Sequence, residues 1–230
     1  MKTLVKTAAL AGTIGPLLFA GVLVLLTALE YDFMRGLGWS LLGFATTDWP
    51  SCLALGQYGY IMTGAFLLNG ILVVLFAVGL SKALPQTTAS RIATVLLMLA
   101  GTAMAGLTFL PDPTSQAASP TWHGRIHDGC FVALGSTLFP SMLVLGWVFR
   151  KSPSWNRLST YTWVSAALAV PTFALKGAAF YLFLVAVLTW TVIVARKLWD
   201  CSSSPIGLAG GSSPRHPAEE QHEQVYDWKG

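Results

Sequence analysis

TYTWVSAALAVPTFALKGAAFYLFLVAVLTWTVIVA, residues 160 to 195, carries a single charge, Lys176. As one continuous helix it would reach about 54 Å at 1.5 Å per residue, against a hydrocarbon core about 30 Å thick. The stretch therefore predicts two helices folded back on each other. Lys176-Gly177 is the natural break, because Lys suits a helix C-terminus and Gly is the usual residue just past one. Spans of 160 to 176 and 177 to 195 follow.

Four further blocks, at 8 to 29, 53 to 80, 92 to 110 and 129 to 149, contain no Asp, Glu, Lys or Arg. Each is long enough to cross a bilayer, for which about 20 helical residues suffice. The sequence thus predicts an all-α polytopic membrane protein, a bundle of six transmembrane helices over residues 1 to 199. A composition 54% hydrophobic and 10% charged agrees, since such a chain cannot cover itself with polar surface in water. The first block follows Lys2 and Lys6 but exceeds the apolar core of a secretory signal, and no small-x-small site precedes Glu30. It reads as a retained helix. Residues 200 to 230, rich in Ser, Gly, Pro and acids, read as a disordered cytosolic tail that includes His216 and His222.

With six spans both termini share one side. That side carries Lys2, Lys6, Lys82, Arg91, Arg150, Lys151, Arg157, Arg196 and Lys197 near the membrane, against Arg35, Arg125 and Lys176 opposite. The positive-inside rule then puts both termini in the cytosol. The net charge of +4 reflects this topology and gives no reason to expect a nucleic-acid partner. The expected location is the endoplasmic reticulum in a eukaryote or the plasma membrane in a prokaryote.

Glu30, Asp32, Asp48, Asp112 and Asp128 all fall in or beside the outer connections, as do His123 and His127. Acid-base or metal chemistry must therefore use that face. With Thr121 as N-cap after Pro120, His123 and His127 stand four apart on one helix face, the spacing at which two imidazoles can share a metal or bracket a substrate. The Glu of the zinc-protease pattern His-Glu-x-x-His is missing, so that mechanism is not expected. A metal set of His123, His127, Asp112 and Asp128 stays open as an alternative; no cofactor is implied.

Asp48 and Arg125 read as solvated or anchoring charges. Lys176 reads as a helix cap, or alternatively as a cation paired with Glu30 or Asp32. Asn69 is expected to bond a neighbouring helix, and Cys52 and Cys130 to be buried free thiols unless an oxidising compartment pairs them. Tyr31, Phe33, Trp39, Phe44, Trp49, Tyr58 and Tyr60 read as an interfacial aromatic belt that could also line the way in for an apolar ligand. Pro16, Pro140 and Pro171 are expected to kink their helices. Gly101 with Ala105 and Thr102 with Gly106 offer small contact faces.

Tyr31-Asp32 with Arg35, Gln57-Tyr58-Gly59-Tyr60, the string Phe109 to Pro113 and His123-Gly124-x-x-His127 occur in an order that resembles a six-span membrane family catalogued only as a domain of unknown function. The resemblance covers residues 1 to about 199 and implies a six-helix fold that gathers these residues, with no reaction attached. The chain also resembles, in size and in its acids at helix ends, small fungal integral membrane terpene cyclases, which are thought to protonate an olefin or epoxide.

The expected function is a membrane enzyme using acid-base catalysis on an apolar isoprenoid or epoxide-like substrate. Asp112 is the expected acid, kept protonated by burial, with Glu30 or Asp32 as alternative donor and His123 and His127 as base or orienting groups. Tyr31, Arg35, Trp39 and Trp122 are the expected substrate-binding residues. A metal-assisted lipid hydrolase and a non-enzymatic transporter or lipid-binding protein remain as alternatives, and the expected partners are an apolar small molecule and the lipid bilayer.

Overall fold

A computed structural model describes residues 2–41, 48–114 and 119–203. Phe44 and the tail beyond Ser203, with His216 and His222, lie outside the described residues. Among those described, the chain is all helix: α1 (Lys2–Leu29), the short α2 (Tyr31–Gly36), a 3-10 turn at Pro50–Leu55, α3 (Gly59–Ala83), α4 (Thr88–Gly106), α5 (Trp122–Lys151), α6 (Arg157–Phe173) and α7 (Ala178–Ser203). Five of the six long helices are long and apolar enough to cross a membrane. The protein is thus a multi-pass membrane bundle. The sixth, α6, has 17 residues.

The fold-back expected from the 160 to 195 stretch is present, with Gly177 at φ 69° in the turn. Only glycine enters that conformation without steric cost. The helix stops earlier than Lys176, at Phe173, two residues after Pro171. Residues 53 to 58, read as part of the second span, lie instead in the 3-10 turn and the link that follows it. A Cβ at Gly59 would strike the backbone of Ala54, so this tight turn needs glycine where α3 begins.

Each long helix packs on the next, and α7 returns to pack on α1, closing a ring. Between α3 and α4 the approach is backbone to backbone: a Cβ at Gly70 would meet Gly101 and Ala105, the small-residue face expected on α4. The other face divides, with Gly106 against Cys130 of α5 and Thr102 exposed. Outward surfaces are apolar, including Leu17, Val24, Val132, Val164 and Val185. At one end Trp155 stacks on Phe149 under the α5–α6 link, with Lys151 over Trp147 at 3.9 Å.

Candidate functional site

At the opposite end the α1–α3, α4–α5 and α6–α7 connections meet, and the expected acids and histidines are there. The structure brings Asp112, His123 and His127 together, and what joins them is helix-end hydrogen bonding. Thr121 is the N-cap of α5, as its position after Pro120 suggested: its hydroxyl accepts from Gly124 N–H at 3.1 Å and donates to Asp112 at 2.7 Å. The Thr121 N–H donates to the other Asp112 oxygen at 2.7 Å. The Asp112 carboxylate thus lies against the positive end of α5, over Gly124, where a Cβ would collide with it.

These contacts correct the expectation that Asp112 is kept protonated. The Thr121 hydroxyl, before any other influence, holds this carboxyl below the ordinary aspartate range. A folded-state pKa below the unfolded one contributes stability that is complete above about pH 4 and is lost as pH falls through the lowered value. Thr121→Val should therefore melt lower at pH 7 yet lose less further stability on acidification to pH 3 than wild type. Thermal unfolding in detergent at both pH values checks this; parallel losses would contradict the tie.

The histidines secure the other side of the same link. His127 is buried, its Nδ1 3.1 Å from Leu107 O and 2.7 Å from Phe109 O. Nδ1 of His123 lies 3.0 Å from Leu110 O. A carbonyl only accepts, so both rings carry their proton on Nδ1, and Nε2 of the neutral ring is the free base. Among the described residues no group of three or more His, Cys, Asp or Glu is arranged to hold a metal.

Glu30 occupies a second cradle of the same kind. It is buried, accepts from Tyr58 N–H at the start of α3, and lies over Gly56; its other oxygen, Oε2, is buried with no partner. Asp32, Tyr31 and Arg35 are exposed on α2, and Trp122 is exposed on α5. Trp39 is buried beneath α2, edge-on to Tyr31 and Tyr181. Of these expected substrate-binding residues, Tyr31 and Trp39 meet, whereas Arg35 and Trp122 stand exposed on different helices.

A cavity of about 420 Å³, within the range of small-molecule sites, lies inside the ring. Asp112, Asp128, His127 and Thr114 border its mouth, and Phe19, Phe66, Leu97, Ala100, Leu134 and Leu188 are among its mostly apolar walls. An aromatic shelf stands beside the mouth: Trp49 packs on Phe131 and Phe180 at ring distances of 5.4 and 5.2 Å, and Phe131 stacks on Phe173 at 4.2 Å. The His127 ring stands edge-on to Phe66 in the wall.

Two residues, Asp48 and Asn69, behave differently from expectation. Asp48, read as solvated, is fully buried and accepts from Thr114 N–H at 2.6 Å, joining two connections. Beside it the Cys52 thiol is pushed up to about 12, first by burial and then by Asp48. Cys52 and Cys130 are free thiols. Lys176 reaches Thr114 Oγ1 at 3.3 Å and lies 5.3 Å from the Trp49 ring centre. Asn69, expected to bond a neighbouring helix, is buried in the cavity wall with Oδ1 unpartnered.

Residues 13–197 match the family described as "Protein of unknown function (DUF998)". The chain belongs to the DUF998 family. That agrees with the resemblance carried by the Tyr31-Asp32, Asp112-Pro113 and His123-Gly124-x-x-His127 strings. No curated protein and no solved structure matches this DUF998 chain, so the likeness to fungal cyclases gains no support.

Proposed function

We propose that this DUF998 protein binds one apolar small molecule of isoprenoid or fatty-chain type within its helix ring, with the polar end of the molecule at the Asp112, Asp128 and His127 mouth. The cavity carries this reading: an apolar chamber opening at a polar rim suits an amphipathic chain. All six long helices would span the membrane, α6 included, since Val164, Leu168 and Val170 present an apolar outer surface. The basic residues at the far ends support a reading with both termini in the cytosol, the protein lying in the endoplasmic reticulum of a eukaryote or the plasma membrane of a prokaryote. Titration of 1-dodecanol into purified protein, followed by native mass spectrometry, should saturate at one molecule per chain.

Acid-base catalysis on the bound chain is a second reading, favoured by one observation. His127 borders the cavity with its Nδ1 proton fixed by two carbonyls, which leaves Nε2 unprotonated and able to take a proton from a ligand. Asp112 is a poor donor here, and Asp128, at the mouth, would have to supply or receive the proton. His127→Gln should then abolish turnover of the metabolite that accumulates on gene deletion, while 1-dodecanol still saturates at one molecule per chain. Full turnover by that variant would exclude the catalytic reading and leave the binding one.

A further inference from the structure

We infer that the natural ligand carries a second hydrogen-bonding group, a hydroxyl or a carbonyl, at its buried end, and that Asn69 receives it. This rests on the binding proposed above and specifies what binds. Asn69 is 4% exposed, its Oδ1 is buried without a partner, and the residue forms part of the cavity wall. Beside Oδ1 on α1 is Gly15, where a Cβ would lie 2.9 Å from that oxygen and which has no side chain to offer. Around it the wall is apolar, with Pro16, Val73, Phe76 and Leu97. An unpaired amide in such surroundings is costly, and buried polar groups in native proteins are almost always paired.

Thr191 adds to the polarity of this inner end. Its hydroxyl donates to Val187 O at 2.8 Å and its oxygen can still accept. Along α3 the distance from Gly59, where the helix begins, to Asn69 is about 15 Å at the helical rise. A chain with polar groups about that far apart therefore satisfies the rim and Asn69 together. Asn69 can present either its N–H or its carbonyl oxygen by turning the amide over, so it accommodates a hydroxyl or a carbonyl.

The probes are 1,12-dodecanediol and 1-tridecanol, which differ in a terminal hydroxyl against a methyl. Wild type should bind the diol roughly tenfold more tightly once each affinity is divided by its bilayer partition coefficient, the usual consequence of one buried hydrogen bond. Asn69→Leu should lose that preference while binding 1-tridecanol within about twofold of wild type. Equal corrected affinities in wild type would overturn the inference, with water then the partner of Asn69, and would leave chain binding intact. If Asn69→Leu does not fold, the wild-type pair decides alone. Failure of wild type to hold either probe would overturn the binding reading and this inference with it.

Discussion

Replacing Gly56 with alanine is expected to destabilise the protein by about 2–4 kcal/mol, the range for overpacking combined with an orphaned buried polar group. The backbone there, at φ −75° and ψ 179°, suits any residue, so the sensitivity is purely steric. A Cβ would fall on the Glu30 carboxyl, which is buried and accepts from the N–H of Tyr58. Glu30 would have to leave, and the first turn of α3 would lose its anion. In a Glu30→Ala background the space is free, and the same glycine substitution should then cost under about 1 kcal/mol. Thermal unfolding of the four proteins in detergent measures the coupling; equal effects of Gly56→Ala in both backgrounds would refute the cradle.

Glu30 and Asp112 show how far the candidate site was legible in the sequence. Their common end of the bundle, the Thr121 cap and the shared face of His123 and His127 all followed from spacing and charge. Their roles did not. Glu30 and Asp112 accept from the backbone N–H groups of Tyr58 and Thr121, the two histidines donate to the carbonyls of Leu107, Phe109 and Leu110, and nearly every residue type supplies such groups. Gly56 and Gly124 were the available signal, since a glycine near a helix start can make room for a carboxylate.

The helices themselves were legible because apolar length is a property of a local segment. The turn at Gly177 was legible for the same reason, whereas the end of α6 at Phe173 depended on Pro171 and on the neighbouring helices. Asp48 was misread because its partner, the N–H of Thr114, comes from a connection 66 residues away. The cavity is less local still. It exists because α7 packs back on α1 and leaves the ring unfilled, which no single segment encodes.

Ala100 offers the second large effect. It lines the cavity from α4 and is 1% exposed, so a phenyl ring at this position enters space that the protein does not fill. Ala100→Phe should therefore keep the helix ring while excluding a bound chain. Any overpacking would cost about 1–3 kcal/mol and would appear as a lower melting temperature, separable from a change in binding. The most direct measurement is a titration of 1-dodecanol into wild-type and Ala100→Phe protein purified in the same detergent, with occupancy read by native mass spectrometry. Saturation at one molecule per wild-type chain and at least roughly tenfold weaker binding by the variant are expected, a difference of about 1.4 kcal/mol or more. Equal binding by the two proteins, without saturation at one per chain, would contradict a ligand site inside the ring.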